Sequence, residues 1–237
     1  MKKLNILVAC EESQAVTKEL RLLGHNAYSC DLLPCSGGHP EWHFNTDVFE
    51  VIDNIGGILQ NNKTVKLSTN WDIMIAHPPC TYLAVSGARW YYHPEDKDLP
   101  FDQRRPHPRF PNRALDREEA LEFFIKLLEA PIDRIAIENP VGIVSTRYKK
   151  PNQTIHPWMF GDEASKATCL WLKNLPLLQP TNIVGKGERV VLSSGKSLPK
   201  WYSDALTQSK TASERRTLRS KTFIGMAKAM AEQWTKI

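Results

Sequence analysis

The chain has 237 residues, 41% of them hydrophobic, which suffices for one sizeable core and a small subdomain beside it. Its 31 Lys+Arg against 26 Asp+Glu leave a net charge of +5, which tolerates a polyanionic partner without demanding one. No stretch approaches the ~18–20 apolar residues of a membrane span. The N-terminal run LNILVA is too short for a secretory signal, and five scattered cysteines do not read as a disulfide scaffold. A cytoplasmic protein with reduced thiols and no membrane partner is expected.

In chain order, LNILVAC (4–10) reads as a buried parallel strand, SQAVTKELRLLG (13–24) as a helix that Ser13 can cap and Gly24 can end, and NAYSCDLL (26–33) as a second strand. This β-α-β opening predicts a doubly wound, mostly parallel α/β sheet. A turn-rich loop (36–48) precedes a helix over 48–59. WDIMIAH (71–77) and RIAIENP (134–140) are strands flanking the clearest helix, 114–130, and 213–234 reads as a final helical segment. Residues 87–113, with five prolines and a Trp-Tyr-Tyr cluster, are irregular and long enough to be a functional lid. Residues 146–200 are also proline-rich, with ERVVL (188–192) a short strand candidate. The expected division is a core of 1–145 and 213–237, with 146–212 a small substrate-contact region.

In such sheets the ligand crevice lies beyond the carboxyl ends of the strands. Four predicted strand ends carry reactive or polar groups: Glu11-Glu12-Ser13, Asp31, Cys80 and Glu138. The first two suit an adenosyl-type ligand, with Asp31 open to a ribose role or a capping one. The last two suit chemistry, because a thiolate is a soft nucleophile and a carboxyl beside it can exchange a proton. Cys30, Cys35, His39 and His43 have a zinc-like spacing, but Cys30 sits in a strand facing away from Asp31, and no metal is expected.

HPPC (77–80), followed by ENP (138–140), resembles the Pro-Cys and Glu-Asn-Val motifs of the cytosine carbon-5 DNA methyltransferases. TFIGMAKAMAEQW (222–234) is similar to that family's last motif, and the likeness is greatest to its short phage and prophage members. The resemblance implies a Rossmann-like, S-adenosylmethionine-dependent methyltransferase fold with an irregular C-terminal insertion, DNA as partner, and a monomer or weak dimer in a bacterial, phage-bearing cell. It implies Cys80 as nucleophile and Glu138 as the group that protonates ring nitrogen 3, a role that requires surroundings raising the Glu138 pKa. It places the donor near Cys10, Glu11, Ser13, Asp31, Asp47 and Pro78. The substrate falls to Asn139 and Arg147, and to a lid in which Arg89, Arg104, Arg105 and Arg109 meet phosphates. Trp90, Tyr91 and Tyr92 are available there either to stack on bases or to form ordinary core. Three departures stand out. The glycine-rich turn after the first strand is replaced by ACEESQAV, His77 precedes the proline pair, and no clear Gln-x-Arg motif is present, leaving Arg147 or the 215–219 cluster as substitutes. A carboxylated donor, carboxy-S-adenosylmethionine, is the alternative cofactor; amino methylation and a non-catalytic nucleic-acid-binding module are the other readings.

Overall fold

In the computed structural model the described residues are 2–211, 214, 215, 218, 220 and 222–236. The chain forms β1 (Asn5–Ala9), α1 (Ala15–Leu22), β2 (Asn26–Cys30), β3 (His43–Phe44), α2 (Val48–Asn54), β4 (Gly56–Ile58), β5 (Thr64–Lys66) and β6 (Ile73–Ala76). There follow α3 (Arg113–Leu128), β7 (Arg134–Pro140), α4 (Val144–Arg147), β8 (Gln153–Ile155), β9 (Thr168–Lys173), β10 (Arg189–Val191), β11 (Ser197–Pro199), α5 (Lys200–Gln208) and α6 (Ile224–Trp234). The main sheet has the order β3-β2-β1-β6-β7-β9-β8. Its first five members are parallel, and β9 runs antiparallel to both β7 and β8. This is a doubly wound, mostly parallel α/β sheet. β4–β5 and β10–β11 are separate hairpins.

The short apolar runs are central strands because alternate residues bury on opposite faces. Leu7, Met74, Ile135 and Ile137 pack beneath α2 and α3 with Phe124 and Trp171. Ile6, Val8, Ile73, Ile75 and Ala136 pack beneath α1 and α6 with Leu20, Met230 and Trp234. Phe124, Trp171 and Trp234 are fully buried, each worth about 1.5–3 kcal/mol or more in area removed from water. Among the described residues no helix is long and apolar enough to cross a membrane.

Several sequence expectations shift. The first helix begins at Ala15, and Ser13 does not cap it; Gly24, at φ 87°, does end it. The second strand stops at Cys30. The expected helix over 48–59 ends at Asn54, since Gly56–Ile58 leaves as the strand of a hairpin, and a Cβ on Gly56 would strike the Val65 carbonyl. β8 and β9 lie inside the stretch expected to be a separate substrate-contact region, and β9 pairs with β7 along six residues. Proline-rich flanks hid these strands from the pattern reading. The last helix is described from Ile224; 213, where it was expected to start, lies outside the described residues, as do Arg216, Arg219 and Lys221.

Candidate active site

The site follows from strand register. β6 and β7 are parallel, with Ala76 beside Ile137. One residue further along each strand brings His77 beside Glu138, and the alternation that sends Ile73, Ile75 and Ala136 toward α1 and α6 sends these two the same way. Their side chains meet: Nδ1 of His77 lies 3.2 Å from Oε2 of Glu138, with 10% and 13% of the two side chains exposed. An ionised carboxylate only accepts, so Nδ1–H is the donor. Nε2 of His77 is buried without a partner among the described residues.

Burial pushes the Glu138 carboxyl up, but the His77 hydrogen bond and the positive charges of Lys166 and His77 outweigh it, so it rests below the ordinary carboxylate range. This corrects the expectation of a raised Glu138 pKa, which the implied role required: the fold gives the carboxyl a hydrogen-bond donor and a nearby cation. Lys166 comes from the segment leading into β9, which the sequence reading left irregular, so no signal pointed to it. His77 was visible as a departure from the motif, but its partner was not.

The Pro-Pro-Cys turn is bound to the same strand. Nδ2 of Asn139 donates to the Pro78 carbonyl at 2.8 Å, and Asn139 is buried. Asn139 thus ties the proline pair to β7 rather than facing a substrate. Pro78 is buried and Pro79 exposed. The Cys80 carbonyl accepts from the N–H groups of Leu83 and Ala84, which winds the chain into a turn. That turn returns along 141–143 through Val85 N–H to Val141 O and Ile143 N–H to Leu83 O. The partly buried thiol of Cys80 therefore sits on a loop braced by proline stiffness and by hydrogen bonds to the strand that carries Glu138. A Cβ on Gly142 would drive into the Leu83 carbonyl. Gly142→Ala is accordingly expected to lose about 1–3 kcal/mol, read as a fall in Tm of several degrees by circular dichroism; an unchanged Tm would mean the loop is not held this way.

At the β1–α1 turn, Cys10 and Gln14 take the left-handed conformation, with φ of 57° and 58°, that glycine would otherwise favour. Glu11 is buried and spends both oxygens on the start of α1, accepting from Val16 N–H at 2.6 Å, Thr17 N–H at 3.3 Å and Thr17 Oγ1 at 2.7 Å. It is a helix cap, and its burial holds it above the usual carboxylate range. Gln14, fully buried, clamps the backbone of His39 through both amide atoms. A Cβ on Gly37 would strike Gln14. Ser36–His39 therefore lies over this turn, which explains how the chain dispenses with a glycine-rich sequence there. Burial pushes the Cys10 thiol well up. Among the described residues nothing accepts from the N–H groups of Glu12 and Ser13. Asp31, half-buried at the end of β2, makes a turn to Leu33 N–H at 2.9 Å and is desolvated enough to rest above its ordinary range. Asp47 is exposed and caps α2 through Phe49 N–H at 2.7 Å. The zinc-like residues disperse: Cys30 bonds the Thr46 carbonyl, His43 bridges Ser29 and Leu33, and His39 pairs with Glu41.

The segment 87–113 is a self-packed unit built on three short 3-10 turns. Tyr91 is buried under the Arg113 and Arg117 guanidinium groups, Trp90 packs edge-on against His107 and Phe110, and Tyr92 tilts against Phe101. Tyr91 is thus interior, whereas Trp90 and Tyr92 pack within the segment but remain partly exposed. Arg105 is held in a fork by Asp96 at 2.6 and 2.9 Å, Arg104 donates to the Leu99 and Lys97 carbonyls, and Arg147 pairs with Glu118. Two of the expected phosphate-binding arginines, and Arg147 expected at the substrate, are thus committed within the protein. Arg89 and Arg109 are exposed, touch only aromatic rings, and have no carboxylate partner among the described residues. Asp96 is held at about 2 by the Arg105 hydrogen bonds. A depressed carboxyl stabilises above its ordinary value near 3.8 and loses that contribution as the pH falls toward 2. Asp96→Asn is expected to speed tryptic cleavage after Arg104 severalfold at neutral pH, with wild type losing its advantage as the pH falls through that window (pepsin then being the probe); equal cleavage at pH 7 would count against the clasp.

No family model matches the chain, and no curated protein does. Solved structures with overlapping folds include a protein encoded within an E. coli prophage and described as a DNA modification methyltransferase, at 14% identity and a TM-score of 0.44 over 77% of this chain. They also include an Entamoeba histolytica methyltransferase, at 13% identity and 0.39 over 88%. The chain spans about half of the first protein (52%) and 66% of the second. Overlaps of this size leave the chemistry to be argued from the site.

Proposed function

We propose that this chain transfers a methyl group to carbon 5 of cytosine in DNA through a covalent Cys80 adduct. One observation carries the reading: the turn bearing Cys80 and the strand bearing Glu138 are bonded together at the carboxyl edge of the sheet, through Asn139 to Pro78 and His77 to Glu138. A thiol in the turn beyond β6 and a buried carboxyl within the adjacent parallel β7 are the nucleophile and the acid that carbon-5 chemistry needs.

Carbon 5 of cytosine is a poor nucleophile. The Cys80 thiolate adds to carbon 6, the ring electrons move toward nitrogen 3, and Glu138, protonated when the base excludes water, gives nitrogen 3 its proton. Carbon 5 then takes the methyl group and loses its own proton to a base; the Cys80–carbon 6 bond breaks and nitrogen 3 returns its proton. A base within a duplex cannot reach this edge, so it must leave the stack. Arg89 and Arg109 are the lid cations available to the displaced backbone.

An S-adenosylmethionine-type donor would supply an electrophilic methyl group on sulfur. The residues fit it in two places. The half-buried Asp31 suits ribose hydroxyls, and the unpaired N–H groups of Glu12 and Ser13 suit a carboxylate. Glu11, already bound to α1, does not contribute, and Asp47 is given over to capping α2. The carboxylated donor differs only in the group transferred.

The test is release of tritium from [5-³H]cytosine DNA incubated with either donor, followed by mass analysis of the digested nucleosides. Release with a cytosine heavier by a methyl group supports the reading, and a carboxymethyl mass selects the alternative donor. Methyl transfer without tritium release would move the chemistry to an amino group, and no transfer to DNA of any strandedness would remove the enzyme reading.

A further inference from the structure

His77 has no part in the reaction just described, yet it is the side chain that touches Glu138. We propose that His77 is a positioning residue for the carbon-5 reaction, holding Oε2 of Glu138 so that Oε1 is the oxygen left to carry a proton toward the base. The inference rests on the reading given under the proposed function and extends it to a residue that the motif alone does not assign.

Three observations support it. The register of β6 and β7 sets the two side chains next to each other on one face of the sheet. The bond uses one nitrogen and one oxygen, at 3.2 Å, in a place where both side chains are about nine-tenths covered. A carboxyl able to rotate would present its proton in either direction, whereas one pinned at Oε2 presents it at Oε1 only. Nε2 of His77 is buried without a partner among the described residues, so Nδ1 is the nitrogen whose bond fixes the ring.

The charged and titratable groups facing the pair are few. Lys166, ahead of β9, acts on Glu138; Cys169 on β9 feels the Glu138 charge; and Glu11, at the end of β1, faces His77. The His77 bond and the Lys166 charge both favour the ionised carboxylate. Removing His77 therefore raises the Glu138 titration, since burial is then opposed by Lys166 alone. The positioning contribution and the effect on acidity are separable by substitution. His77→Ala removes the donor, and His77→Asn keeps an amide N–H close to where Nδ1 stands but cannot ionise.

The experiment pairs a transfer-rate pH profile with an infrared titration of the Glu138 carboxyl, its band identified by difference against Glu138→Gln. His77→Ala is expected to lower the maximum transfer rate by about 10²-fold, to move the alkaline limb to higher pH, and to raise the infrared titration of Glu138. His77→Asn is expected to restore the rate to within about tenfold of wild type, as an oriented hydrogen bond would. An unshifted infrared titration in both variants would overturn the inference whatever the rate does. A rate lost equally in both variants, with an unchanged profile shape, would reduce His77 to a structural residue. A shifted titration in a protein that forms no Cys80 adduct would instead overturn the carbon-5 reading and leave the pair standing.

Discussion

Replacing Cys80 with alanine is expected to abolish group transfer and adduct formation together. The turn that holds Cys80 is made by its carbonyl, which accepts from Leu83 and Ala84, and by the Asn139 bond to Pro78, so the side chain can be cut back without undoing the loop. On the proposed reading, what disappears is the nucleophile that activates carbon 5. Deleting a nucleophile of this kind costs about 10⁴-fold or more, which is about 5 kcal/mol of barrier at 1.36 kcal/mol per tenfold. A rate assay beside thermal unfolding makes the point. Loss of rate with an unchanged Tm is the expected pair of results, and a Cys80→Ala enzyme of full activity would turn the Pro-Pro-Cys turn into a structural corner.

Glu138→Gln is expected to have the next largest effect. The amide fills the same space, and its oxygen can still accept from His77, but it cannot pass a proton to nitrogen 3. General acid catalysis of this sort is worth 10²–10⁴-fold, and a fall of that order in single-turnover rate, with DNA affinity little changed, is expected. The substitution has a stability signature as well. Glu138 is held below its ordinary value of 4.5, so it stabilises the fold above that pH and loses the contribution as the pH falls through its folded value. The stability difference between wild type and Glu138→Gln should therefore shrink on acidification below about 4.5; a difference that grows would reverse the sign assigned to the His77 and Lys166 contacts.

The sheet was legible in the sequence because its first strands are short apolar runs separated by a clear helical period, and the strand ends carried their polar groups openly. Cys80 and Glu138 were both expected at strand ends; the structure puts Cys80 in a turn beyond β6 and Glu138 within β7. The rest depended on long-range pairing. β9 is six buried residues between proline-rich flanks, and only its antiparallel register with β7 shows that it belongs to the sheet and brings Lys166 toward Glu138. In place of a glycine-rich turn after β1, Gln14 and Gly37 lock one loop over another. The lid arginines read as phosphate ligands because sequence shows charge without its partner; Asp96, nine residues before Arg105, supplies that partner.

The most direct test is intact mass spectrometry of the protein after incubation with S-adenosylmethionine and DNA containing 5-fluorocytosine, wild type beside Cys80→Ala. Fluorine at carbon 5 cannot leave as a proton, so a carbon-5 enzyme stays bonded to its substrate. A wild-type mass increased by the DNA and the transferred group, mapped to Cys80 and absent from the variant, is the predicted result. A wild-type protein that methylates ordinary DNA yet forms no such adduct would contradict the account.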